Sequence, residues 1–276
     1  MPYLFIILRR IRIVLLVVLV TIGSFVAYDL YKMMGSQGVT GLMVAEPDSP
    51  TREIAVLFIG NSYTYYNNLP QIMIDIASSD PDNKTRFIAQ AVTRGGYTLE
   101  NHLDDGRALK ILYSRHWDYV VLQEQSVWAL SPGSRHSTFM AAEQFNDEIK
   151  KIGAHTILFT TWAKKPGSAW YSDPKYSFLG NPYYMQQQFN EQTAILAKKL
   201  GVVAIPVGGY WMSILNKRPD FPLYDGDGTH PGVSGSYLAA LMFYHYFAGY
   251  NPVHATYVPY GMTNEQATFL KNIATW

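Results

Sequence analysis

Two short stretches, far apart in the chain, carry residue types that could act together on a carbonyl carbon. In "FIGNSYTYYNNLP", residues 58–70, an apolar run stops on Gly60-Asn61-Ser62. In "YDGDGTHPG", residues 224–232, an acid precedes a histidine by three positions, as Asp227 and His230. A serine hydroxyl becomes a nucleophile when an imidazole takes its proton, and a carboxylate fixes the tautomer of that imidazole. A tight Asp-x-x-His loop can supply both partners from one segment. Pro231 and Gly232 keep that loop from running straight into the helix that follows. Two further stretches have polar chemistry. Gly95-Gly96 in "TRGGYTL" lets a backbone N–H approach a ligand closely. Gln123 and Gln125 in "QEQS" offer side-chain amides.

Each feature also has an ordinary structural reading. Ser62 alone could cap a helix or turn the chain. A glycine pair is most often a plain turn, and glutamines commonly satisfy loop backbone. "DGDGTH" lacks the alternating acids and terminal glutamate of a calcium loop. The seven histidines form no His-Glu-x-x-His or His-x-His pair, so no zinc chemistry is expected and no metal or cofactor is implied.

These residues need elements to position them. From residue 54 onward, short apolar runs alternate with longer stretches of helical spacing. The runs at 54–60, 86–92, 118–124, 155–163 and 202–208 read as strands. The stretches at 69–79, 98–114, 138–153, 182–201 and 234–249 read as helices. Strands buried on both faces appear as continuous Val/Ile/Leu runs. Five of them alternating with helices predict a five-stranded parallel sheet in a three-layer α/β/α sandwich. Ligands bind such sheets beyond the carboxyl ends of the strands. Ser62, the glycine pair and Gln125 follow on predicted strands, and Gln123 and Trp162 stand at the ends of theirs.

The rest of the chain differs in kind. Arg9, Arg10 and Arg12 stand before or within an apolar run ending at Tyr28. That pattern predicts an N-terminal membrane helix over 1–28 with the remainder outside the cytoplasm, or else a cleaved signal sequence. Residues 29–53 hold turn formers without a sustained period and read as a linker, leaving 54–276 as the folded domain. Of the 276 residues 16% are charged and the net charge is +1, which argues against a nucleic-acid partner. The absence of cysteine excludes disulfides and thiolate catalysis.

"FIGNSYT", "RGGYTL" and "DGTHPGVSGSYLAA", in this order, resemble the SGNH (GDSL-like) hydrolase superfamily, in a subgroup with Gly-Asn-Ser in place of Gly-Asp-Ser. The resemblance covers roughly residues 54–249 and implies the flavodoxin-like fold of that superfamily. It implies Ser62 as nucleophile, His230 as base and Asp227 as third triad member. It further implies an oxyanion hole built from the Ser62 N–H, an N–H of Gly95 or Gly96, and a side-chain amide after the third strand. The family carries Gly-x-Asn there; this chain has "LQEQSVW". Gln125 falls closest to the asparagine and Gln123 is second.

The expected function is an extracytoplasmic ester hydrolase. Aromatic residues crowd the rim loops, among them Tyr63, Trp128 and Trp162. Aromatic rims stack on sugars, so an O-acylated carbohydrate is the first substrate expected. A lipase or thioesterase, an acyltransferase with the same triad, and a non-catalytic glycan-binding protein are the alternatives.

Overall fold

The computed structural model describes residues 38–47 and 50–275. The expected membrane segment at 1–28 lies outside the described residues. Among those described, no helix is long and apolar enough to cross a membrane.

The chain begins with two short strands, β1 (Gly38–Val39) and β2 (Met43–Ala45), followed by β3 (Arg52–Gly60). Helices α1 (Ser62–Tyr65) and α2 (Leu69–Ser79) lead to β4 (Thr85–Thr93). Next come α3 (Leu99–Asp105), α4 (Arg107–Leu112), β5 (Tyr119–Leu122), α5 (Ser126–Leu130), α6 (Arg135–Lys151) and β6 (His155–Phe159). The chain then forms α7 (Pro182–Leu200), β7 (Val203–Ile205), α8 (Val207–Lys217), α9 (Val233–Ala248) and α10 (Asn264–Ile273). Strands β4, β3, β5, β6 and β7 are parallel and adjacent in that order. The order reverses between β3 and β5, which opens a crevice beyond their carboxyl ends. Ser62 stands at that point.

The continuous apolar run of β3 serves two cores. Ile54, Val56 and Phe58 face one, with α2, α8 and α9; Ala55, Leu57 and Ile59 face the other, with α3, α4 and α6. Side chains alternate across a strand, so both faces must be apolar. Helix α9 is buried at 13 of its 16 residues, which is why its sequence shows no amphipathic stripe.

The segment expected as a linker corrects the sequence reading. Residues 38–45 are part of the sheet, which therefore has seven strands rather than five. β1 and β2 pair antiparallel with β4, placing Val39 opposite Val92 and Ala45 opposite Phe87. Without them β4 would be an edge strand with an unpaired row of N–H and C=O groups. Thr40 continues the seam, its N–H donating to the Ala91 carbonyl at 3.0 Å and its hydroxyl accepting from the Ala91 N–H at 2.8 Å. Strands of two and three residues are too short to show a period. The expected helix at 98–114 is also two helices, broken at Gly106, whose φ of 70° ends α3.

Ala45 is fully buried against the core on α2 and β4. Ala45→Asp should therefore lower stability by about 3 kcal/mol or more, the scale for an unpaired buried carboxylate. Thermal unfolding measures this. A flexible linker at this position would show no change.

Candidate active site

The turn after β3 is built around one side chain from the next strand. Gln123, just past β5, is buried, and its Oε1 accepts from the Asn61 N–H at 2.8 Å and from the Thr64 hydroxyl at 3.0 Å. A Cβ on Gly60 would lie 2.6 Å from that oxygen, so glycine is required by close approach. Asn61 then caps α1, its Oδ1 accepting from the Tyr63 N–H at 3.1 Å. Its amide nitrogen donates to the Tyr97 carbonyl at 2.9 Å, tying in the Gly95-Gly96 turn. Ser62 is left as the first residue of α1, at the rim of the sheet. Its N–H belongs to the first helical turn, where N–H groups lack intrahelical partners.

His230 reaches Ser62 across 168 positions of sequence. Its Nε2 lies 2.8 Å from the Ser62 Oγ and its Nδ1 lies 2.5 Å from Asp227 Oδ2. With Nδ1–H donating to the carboxylate, Nε2 is the acceptor for the serine proton. The other Asp227 oxygen accepts from the N–H groups of Thr229 and His230 at 2.8 and 2.9 Å, which closes the loop on itself. Burial works against the Asp227 carboxylate, but hydrogen bonds from the His230 side chain and both N–H groups outweigh it and hold the carboxyl below its usual range. The loop is fastened from outside as well. Gly228, at φ 66°, accepts from the Lys165 N–H at 2.8 Å, and the Trp162 indole donates to the Thr229 carbonyl at 3.1 Å. Tyr66 stacks on the imidazole at 4.2 Å between ring centres, and Tyr63 meets it edge-on at 5.8 Å.

The structure thus brings Ser62, His230 and Asp227 together and separates the other expected site residues by role. Gly95 and Gly96 form an exposed turn closed by the Tyr97 N–H on the Arg94 carbonyl at 3.2 Å, with Gly96 at φ 71°. Neither glycine N–H is used in closing it. Gln123 commits its oxygen to the turn beneath Ser62 and one N–H of its amide nitrogen to the Glu124 carbonyl at 2.7 Å. Gln125 uses its oxygen to cap α5, accepting from the Trp128 N–H at 2.6 Å; its amide nitrogen has no partner among the described residues. Trp162 is fully buried between Tyr63 and Trp211, stacked at 4.7 and 4.0 Å, and supports the histidine loop rather than walling a pocket. Tyr63 is likewise buried. Trp128, 43% exposed on α5, is the one of the three expected substrate contacts that faces solvent. Among the described residues no three His, Asp or Glu side chains converge as a metal would require.

Three supporting residues escaped the sequence reading. His102, buried on α3, donates from Nε2 to the Gly60 carbonyl at 2.7 Å, and burial lowers its affinity for protons. Asn67 holds a left-handed φ of 55° and donates to the Pro231 carbonyl and the Ser236 hydroxyl, both at 2.9 Å, so it joins the serine loop to the histidine loop. The Asn67-Asn68 pair is the available signal, since asparagine tolerates this backbone region. Lys164 is the third.

Similar proteins appear among solved structures. A protein from Slackia heliotrinireducens described as a candidate SGNH hydrolase is 25% identical, with a TM-score of 0.56, covering 70% of this chain and 98% of that one. A DUF4886 family protein from Bacteroides uniformis is 22% identical, with a TM-score of 0.64, covering 80% of this chain and 93% of that one. An acetylxylan esterase from Geobacillus stearothermophilus is 15% identical, with a TM-score of 0.54, covering 74% and 97%. No protein-family model and no curated protein matches this sequence. The fold is the one these solved SGNH and GDSL-like hydrolases share.

Glu124 gives a pH test of this region. Burial raises its carboxyl to about 8, against the N–H groups of Gln125 and Leu99 that favour the charged form. The folded state therefore holds this proton where the unfolded chain, near 4.3, has released it. Stability should fall as pH rises from about 4.3 to about 8. Glu124→Gln keeps the shape and removes the titration. The variant should gain on the wild type by at least ~1 kcal/mol between pH 5 and pH 8 in urea unfolding.

Proposed function

We propose that this chain is a serine ester hydrolase that removes acetyl or other short acyl groups from carbohydrate. The observation that carries the proposal is the unbroken line from Ser62 Oγ to His230 Nε2 and from Nδ1 to Asp227. Ser62 Oγ attacks the ester carbonyl carbon while its proton passes to His230 Nε2. The Asp227 carboxylate stabilises the resulting imidazolium and keeps its orientation. The carbonyl oxygen becomes an anion, met by the Ser62 N–H, a glycine N–H of the 95–96 turn and the Gln125 amide. Collapse expels the sugar hydroxyl, which takes the proton from His230. Water then repeats the sequence on the acyl-enzyme and releases the free acid.

Several observations support the substrate class. Trp128 offers an exposed aromatic face on the helix that follows Gln125. An enzyme of the same fold acts, by its description, as an acetylxylan esterase, and catalytic Ser→Ala and Asp→Ala mutants of it have been solved. The arginine-led apolar run before the described residues supports a site of action outside the cytoplasm, where envelope or environmental glycans are met.

Release of acetate from an acetylated xylan, alongside turnover of 4-nitrophenyl acetate, tests the proposal. Ser62→Ala and His230→Ala should each remove at least ~10³ of kcat, and the double variant should be hardly slower than either, because the two act as a unit. Wild-type rates in Ser62→Ala would end the proposal. Gln125→Glu replaces a donor by an anion beside a developing anion. It should lower kcat by ~10²-fold or more with KM little changed. A Gln125→Glu enzyme with normal kcat would leave the oxyanion to backbone N–H groups alone.

A further inference from the structure

Lys164, in the loop after β6, is 2% exposed. Its ammonium donates to the Tyr63 hydroxyl at 2.8 Å and to the Ser126 hydroxyl at 3.3 Å. The rings of Tyr63 and Trp170 lie over it at 5.3 and 5.0 Å. Among the described residues no carboxylate comes within ion-pair distance. A buried charge is costly unless something nearby compensates it. Hydroxyls and aromatic faces do part of this, and the remaining partner is at longer range. Asp227 is the carboxylate whose charge acts on Lys164. Three phenols lie close by: Tyr63 from α1, Tyr171, whose hydroxyl donates to the Lys164 carbonyl, and Tyr224; burial pushes all three upward, so they stay neutral. Two further charged residues, Lys165 and Asp225, are fastened to the histidine loop through backbone bonds to Gly228 and His230.

The ammonium is also close to the base. It lies 5.3 Å from the centre of the Tyr63 ring, and that centre lies 5.8 Å from the centre of the imidazole. The two groups are therefore no more than about 11 Å apart. A carboxylate beside an imidazole favours the charged form, and Asp227 lies 2.5 Å from His230, whereas a resting base must be neutral to accept the serine proton. We propose that Lys164 is a positioning residue that sets the charge of the triad: its buried ammonium, held on Tyr63 and Ser126, opposes the Asp227 carboxylate and keeps the His230 imidazole neutral at rest. This extends activity to lower pH than the Asp227–His230 pair alone would allow. Burial lowers the Lys164 ammonium to about 8, with Asp227 working against that shift. The cation is therefore present below that pH.

The inference rests on the ester-hydrolase reading, and its test separates the two. The measurement is the pH dependence of kcat/KM for 4-nitrophenyl acetate, an uncharged substrate. In Lys164→Met the acid limb should move upward by about one pH unit, the Coulomb effect of one charge at ~11 Å in an effective dielectric of ~20. Lys164→Arg, which keeps the charge, should retain the wild-type limb. Ser126→Asp leaves Lys164 in place and sets a carboxylate against it, so it should shift the limb in the same direction even if Lys164→Met does not fold. A purely structural lysine would lower kcat at every pH and leave the limb where it is, which would overturn the inference. So would a Lys164→Met enzyme whose only change is a raised KM for esters bearing a carboxylate, since the ammonium would then be binding substrate. Full activity in Ser62→Ala would instead remove the underlying hydrolase reading.

Discussion

The side-chain amide of Gln123, lodged under the turn that ends β3, is the interaction on which the rest of the site depends. It comes from the neighbouring strand and replaces the partner that the Asn61 N–H loses when the sheet stops. It also holds the Thr64 hydroxyl, so the first turn of α1 starts at a set height above the sheet. The close approach leaves no room for a Cβ at Gly60. A buried amide donor or acceptor without a partner costs about 1–3 kcal/mol, so strand end, cap and nucleophile loop hold or fail together. Ser62 is positioned by this arrangement more than by anything it does itself.

His230 is positioned by different means. Its loop has no regular structure, and its order comes from polar closure on Asp227 and from aromatic contacts. Tyr63, Trp162 and Trp211 form a stack beneath it, and Tyr66 covers the imidazole. Such stacks add directional preference to burial, on the order of 1 kcal/mol per pair. Part of the richness in aromatic residues thus stiffens the loops that carry Ser62 and His230.

The charges follow the same layering. A buried lysine after β6, a half-buried glutamic acid after β5 and the Asp227–His230 pair after α8 lie at the same rim. Burial lowers the lysine and raises the glutamic acid, whereas at Asp227 hydrogen bonds from His230 and Thr229 outweigh burial and lower the carboxyl. A low-dielectric rim makes one charge felt at another across a ring or two, which surface groups would not achieve.

The parallel strands, four of the helices and the serine, histidine and aspartate that the fold brings together were legible in the residues alone. Continuous apolar runs report burial on both faces, and Gly-Asn-Ser and Asp-x-x-His report chemistry whose spacing is local. The short strands at 38–45, the break at Gly106 and helices of four or five residues were not, because they carry too few residues to show a period; α8, which starts inside the expected strand at 202–208, and α10 were not read either. Nor could the sequence assign Gln123, Trp162, Tyr63 or Lys164. A glutamine that donates to an oxyanion and one that fills the space beside a glycine have the same letter and neighbourhood. The difference lies in which strand passes beside which, and in how far each side chain lies from water. Those are properties of the packed sheet, set by contacts between residues tens to more than a hundred positions apart, and only the tertiary structure decides them.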